Sequence, residues 1–181
     1  LILPANAIVI MGISGCGKST LGHALAEATG YRFIEGDNLH PVENIAKMSA
    51  GTALTDEDRW PWLERVADVL GTARDTDGCI VSCSALRYAY RDYLRSRSRQ
   101  PLLFVFPNLS VEVVRARLRV RSNHYMPPSL LDSQVATLEL PRPDERVLTL
   151  NGTPSTAQSV NLVMGYLSTL ADIQPDTFLS N

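Results

Sequence analysis

Long apolar runs are scarce in this sequence, and no stretch approaches the ~20 residues needed to cross a bilayer. An excess of charge of either sign is missing too. With 17 Lys and Arg against 19 Asp and Glu, the formal net charge of −2 gives no global field for nucleic acid or an anionic membrane. Cysteine is sparse: Cys16, Cys79 and Cys83 are odd in number and irregularly spaced, with no second Cys/His group at metal-ligand spacing. They read as small buried thiols of a reducing compartment, not as a disulfide or metal site. Repeats and low-complexity linkers are absent as well. What is left is one ordinary globular domain of 181 residues, long enough to bury a core without staples. A cytoplasmic location is expected, with no nucleic-acid or membrane partner.

The N-terminal LILPANAIVIMG lacks a basic n-region and runs straight into a glycine motif, so it reads as a first strand and not as a signal peptide. The missing initiator Met implies that the chain has been trimmed, and targeting residues upstream would be invisible. Five short apolar runs recur: AIVIM (7–11), YRFIE (31–35), CIVSC (79–83), LLFVF (102–106) and RVLTL (146–150). AIVIM and LLFVF do not alternate polar with apolar, as suits strands buried on both faces of a parallel sheet. Helix-like segments separate them: KSTLGHALAEATG closed by Gly30, PVENIAKMSAG closed by Gly51, and TDEDRWPWLERVADVL with Thr55 and Asp58 at capping spacing. ALRYAYRDYLRSR, SVEVVRARLRVRS and STAQSVNLVMGYLSTL follow. The pattern is that of a three-layer α/β domain spanning 1–170, with an irregular tail over 171–181.

Between the first strand and the first helix, Gly12-Ile13-Ser14-Gly15-Cys16-Gly17-Lys18-Ser19 fits G-x-x-x-x-G-K-[ST]. Glycines let backbone N–H groups converge on phosphate oxygens, and the helix N-terminus adds positive potential. Lys18 reaches the β/γ-phosphates and the Ser19 hydroxyl suits Mg²⁺; with Thr20, the residues Gly12, Ser14, Gly15, Cys16, Gly17, Lys18 and Ser19 form the expected ATP site. The motif gives nucleotide binding but leaves the acceptor open. No N-K-x-D guanine-reading sequence is present, and the third strand ends in serine where mechanochemical ATPases carry Asp. A small-molecule kinase fits better. Asp37, just past the second strand, would face the phosphates if strand ends line one crevice.

Three longer blocks carry a resemblance. DNLHPVENIAKMSAGTALTDEDRWPWL, CSALRYAYRDYLR and RLRVRSNHYMPPSLLDSQVATLELP resemble the acceptor region, the third-strand segment and the lid of gluconate kinases. The likeness runs from about residue 7 to 150 and departs at Ala53, Asn123 and Val135-Ala136. It implies a phosphate-loop kinase fold, a five-stranded parallel sheet in order 2-3-1-4-5 with helices on both faces, and a lid over about 118–138. It also implies ATP- and Mg²⁺-dependent phosphorylation of gluconate to 6-phosphogluconate, a pentose phosphate intermediate, by a homodimer. Another small hydroxy acid such as shikimate is the rival acceptor, and a nucleotide-sensing module without turnover is the rival class.

By resemblance and position, Asp37 is the base or the group orienting the acceptor hydroxyl, with a further contact to Mg²⁺; Lys18 and Arg121 complete the catalytic set. His40, Lys47, Arg59, Arg87, Arg91, His124 and Gln134 are the candidate substrate residues. Arg59 sits beside Trp60-Pro61-Trp62, an apolar setting where an unpaired guanidinium is costly. It meets either Asp56 or Asp58 or, the reading adopted here, the substrate carboxylate. Arg87 and Arg91 are four apart and expected on one helix face at the crevice mouth. Arg117 and Arg121 repeat that spacing; the resemblance places Arg117 near adenine and Arg121 at the phosphates. The NGTPS turn is the expected adenine edge.

Overall fold

Alternate residues of the first strand, β1 (Ala7–Ile10), serve opposite cores. Ala7 and Val9 pack to one side, Ile8 and Ile10 to the other, and all four are fully buried. A strand covered on both faces can be apolar throughout, which is why its sequence does not alternate. In the computed structural model, which describes residues 5–74, 77–120 and 128–173, β1 is the middle of a five-stranded parallel sheet. The other strands are β2 (Arg32–Glu35), β3 (Cys79–Ser82), β4 (Leu102–Asn108) and β5 (Val147–Asn151), in the order β2-β3-β1-β4-β5. This is the expected order.

On one face lie α3 (Asp56–Leu70) and α4 (Tyr88–Ser98), which bring Trp62, Leu63, Val66, Tyr90 and Leu94 onto Val9 and Phe104. On the other, α1 (Lys18–Thr29) and α7 (Thr156–Ile173) bring Leu21, Leu25, Val163 and Leu167 onto Ile8 and Ile10. Cys79 and Cys83 both fall in the first of these cores, as four-residue spacing in a strand requires. All three cysteines are free and buried, and burial pushes the Cys83 thiol up to about 12.

Local signals set the helix ends. Thr55 Oγ1 accepts from the Asp58 N–H at 3.3 Å while Asp58 Oδ2 accepts from the Thr55 N–H at 2.9 Å, a complete capping box on α3. Helix α2 (Val42–Ser49) follows a 3-10 turn over Gly36–Leu39 and buries only Asn44. The expected lid region contains the end of α5 (Val111–Val120) and a further helix, α6 (Pro128–Thr137), that residue patterning did not separate. Helix α7 runs to Ile173, three residues into the segment read as tail. Among the described residues, no helix is long and apolar enough to cross a membrane.

Candidate active site

The phosphate loop joins β1 to α1. Gly17, the N-cap of α1, has φ 100°, a left-handed backbone that favours glycine. No acidic residue occupies the first turn of α1, so its positive end is uncompensated by carboxylates of its own. Lys18 Nζ donates to the carbonyls of Gly12 and Ile13 at 3.0 and 3.1 Å, which folds the ammonium back over the loop. A cavity of about 490 Å³ opens along the loop, walled by Ser14, Gly15, Gly17, Lys18, Ser19 and Thr20, with Glu35, Asp37 and Arg117 opposite. A smaller one, about 280 Å³, continues past Cys16 and Arg117 between Pro107, Leu109, Gly152 and Pro154. This slot beside the NGTPS turn, with apolar walls from Pro107, Leu109 and Leu150 and polar groups from Arg117 and Thr156, suits a planar base.

The acceptor side is built on the 3-10 turn after β2. Gly36 has an ordinary negative φ, so its role is close approach and not a left-handed bend: a Cβ there would lie 1.9 Å from the Ser82 carbonyl oxygen. Its N–H donates to Ser82 Oγ at 3.1 Å and its carbonyl accepts from Trp62 Nε1 at 2.8 Å. The turn is thereby fastened to β3 and α3, and the next residue, Asp37, is exposed at the mouth. His40 is buried and stacked on Trp62, ring centroids 4.2 Å apart. Asn44 Nδ2 donates to the Asp58 carbonyl at 2.7 Å and lies 3.3 Å from His40 Nδ1. Nδ1 is therefore the acceptor, and the imidazole proton sits on Nε2. Burial, reinforced by Arg59 and opposed by Asp37, lowers the His40 pKa to about 4, so the ring is neutral near pH 7.

Asp37, His40 and Trp62 line a second cavity, about 570 Å³, together with Arg59, Leu86, Leu130 and Gln134. Ser14, Lys18, Asp37 and Asn38 belong to both large cavities and form the wall between them. Gln134 of α6 reaches the phosphate loop, where its Oε1 accepts from the Ser14 N–H at 2.7 Å.

Several candidates stand elsewhere. Arg91 is corrected outright. Its fully buried guanidinium is bidentate to Glu145, at 2.6 and 2.8 Å, and also donates to the carbonyls of Ala85, Leu86 and Glu139. It is 0% exposed and is not among the residues lining the acceptor cavity. Arg87 does not share its face either, because it is the extended N-cap of α4 and pairs with Asp56 at 2.6 Å. Lys47 pairs with Asp58 at 2.6 Å and is not among the residues lining the acceptor cavity. Arg59 does line it, yet also contacts Asp56 at 3.4 Å, so the two readings offered for it are compatible. Arg121 and His124 lie outside the described residues.

Sequence reasoning passed over Glu35. It is the last residue of β2, it accepts a hydrogen bond from the Ser82 hydroxyl, and it faces the donor cavity with Ser19 and Asp37. Its position two residues before Asp37, at a strand end, was the available signal. Among the described residues no three His, Cys, Asp or Glu side chains gather into a metal cage. A hydroxyl and two carboxylates around one cavity do suit Mg²⁺, a hard ion usually held by few protein oxygens and completed by phosphate and water.

Comparison with known proteins decides the family. The chain is 45% identical over 151 residues to the gluconokinase of Gluconobacter oxydans, covering 83% of this chain and 84% of that one. It is 42% identical over 146 residues to the thermosensitive gluconokinase of Escherichia coli, covering 80% and 77%. The chain belongs to the gluconokinase family. The crystal structure of a gluconokinase from Sinorhizobium meliloti superposes with a TM-score of 0.84 at 46% identity, over 96% of this chain and 97% of that one. A family model described as shikimate kinase matches residues 14–146. That match spans the shared kinase frame, whereas the gluconokinase relatives agree with this chain at close to half its aligned residues. ATP use follows from membership of this kinase family.

Proposed function

We infer that the chain transfers the γ-phosphoryl group of ATP to the C6 hydroxyl of D-gluconate, giving ADP and 6-phosphogluconate. The observation that carries this reading is the common wall. A nucleotide cavity and an acceptor cavity meet at Lys18 and Asp37, with a cation at one side and a carboxylate at the other. Relatives named for gluconate supply the acceptor.

The acceptor cavity is polarised in a way that fits a sugar acid. Lys18 and Asp37 stand at the phosphoryl end, Arg59 is available to a carboxylate, and His40 offers a neutral Nε2–H donor among the hydroxyls. As the C6 oxygen attacks the γ-phosphorus, the bond from that phosphorus to the β,γ-bridging oxygen breaks. Asp37 orients the hydroxyl and takes its proton. Lys18 and Arg117 neutralise charge on the phosphates, and Ser19, Asp37 and Glu35 are the residues that would hold Mg²⁺. When bound, that ion neutralises phosphate charge and fixes phosphate geometry. Catalysis of this kind is mostly positioning and charge stabilisation. Closure of the segment around 118–138 over the phosphates would exclude water, and Arg121 and His124 belong to that proposal.

The test is ADP release with ATP, Mg²⁺ and a panel of hydroxy acids that includes shikimate. Gluconate is expected to be preferred by a wide margin, and equal rates across the panel would sink the assignment. Asp37→Asn should keep ATP binding and lower gluconate-dependent kcat by roughly 100-fold or more, the scale of a lost general base.

A further inference from the structure

Arg59 does not stand alone. Its Nη1 is 3.2 Å from the Tyr90 oxygen and 3.4 Å from Asp56 Oδ1, so residues of α4 and α3 grip the same nitrogen. Tyr90 closes the triangle by donating its hydroxyl proton to Asp56 Oδ1, while Asp56 Oδ2 accepts from Arg87 Nη1 at 2.6 Å. The Tyr90 ring lies within reach of both guanidiniums, 5.7 Å from Arg59 and 6.0 Å from Arg87. Of these four residues only Arg59 lines the acceptor cavity, and its side chain is 12% exposed against 41% for Arg87.

Two guanidiniums share one carboxylate, so the cluster keeps one positive charge. The cavity beside it adds no further cation at this end, because His40 is neutral and Lys18 belongs to the wall with the phosphate loop. An Arg that is mostly withdrawn from water exerts its charge with less screening than an exposed one. A planar fork also recognises a carboxylate well only when its orientation is fixed.

We propose that Asp56, Tyr90 and Arg87 are a positioning set that fixes the Arg59 guanidinium against the substrate carboxylate and so sets the preference for an acidic acceptor. The proposal rests on the gluconate reading above. It also separates two roles for Asp56. A mere neutraliser of Arg59 would weaken the hold on an anionic substrate, whereas an anchor strengthens it.

Tyr90→Phe is the first test, because it removes one hydroxyl and leaves net charge untouched. The KM for gluconate should rise roughly three- to tenfold, the worth of a lost hydrogen bond, with kcat and the KM for ATP unchanged. In an Arg59→Gln background the same change should have no further effect on gluconate affinity, because it acts through Arg59. Asp56→Asn should also raise the KM for gluconate, although removing a negative charge would by itself lower it. An unmoved KM in Tyr90→Phe, an additive effect with Arg59→Gln, or a lower KM in Asp56→Asn overturns the proposal. Should Asp56→Asn fail to fold, the tyrosine pair still decides. A wild-type protein without gluconate-dependent ADP release rejects the underlying reading instead, and the two failures are thus distinct.

Discussion

His40 shows how a single burial decision sets chemistry and stability together. Stacked on Trp62 and depressed to about 4, it stays neutral where an unfolded histidine, near 6.5, takes up a proton. The sign follows from linkage. Between these two values the unfolded chain binds more protons than the folded one, so the His40 contribution is complete above about pH 6.5 and is lost as pH falls toward about 4. One proton bounds the slope at about 1.4 kcal/mol per pH unit. Urea midpoints taken from about pH 7 down to about pH 4 should fall for the wild type and fall less steeply for His40→Gln. Identical slopes would mean that other groups control the acid limb. The sequence placed His40 next to the acceptor but could not show its protonation, because that depends on Trp62, a residue of another helix. The demand for glycine at position 36 is likewise invisible locally, because the obstacle to a side chain is the Ser82 carbonyl, 46 residues away, and not the backbone angle.

Among elements, the instructive case is the pair formed by Arg91 of α4 and Glu145 ahead of β5. Spacing of four residues announces a shared helical face only where both residues are helical, and Arg87 is not. The true partner is 54 residues on, beyond the reach of periodicity. Burial alone would raise the Glu145 carboxyl, but the Arg91 hydrogen bonds, the Arg142 N–H and the guanidiniums of Arg91 and Arg95 bring it below its usual range. The pair clamps the segment returning from α6, and Arg91 also holds the carbonyls of Ala85 and Leu86 after β3. Arg91→Met leaves the buried Glu145 with only the longer Arg95 contact, at 3.4 Å, and the Arg142 N–H, and should lose about 3 kcal/mol in urea unfolding. Arg91→Met with Glu145→Leu should recover much of that loss, since an apolar pair avoids desolvating two charges. A single variant that unfolds like wild type would show that the segment finds another anchor.

For the whole molecule, the fold was the most legible level. Its strands are continuous apolar runs, and its helices are bounded by glycines and a capping box, all local signals. Helix α6 escaped because it draws its packing from Leu131 against the phosphate-loop cluster and not from an obvious stripe of its own. The same architecture predicts how the protein unfolds. β1 contributes Val9 to one core and Ile8 to the other, so neither core can dissolve while the strand stays in place. Unfolding should be one cooperative transition. The two tryptophans, Trp60 and Trp62, both belong to α3 and report on the acceptor side, whereas far-UV circular dichroism reports on all helices. The two urea curves should coincide, and Ile8→Ala should move both by the same amount, about 2–5 kcal/mol, although Ile8 faces away from α3. If tryptophan fluorescence changed at lower urea than the helical signal, or failed to follow the Ile8→Ala shift, the acceptor side would be an independent folding unit and the shared-strand argument would fail.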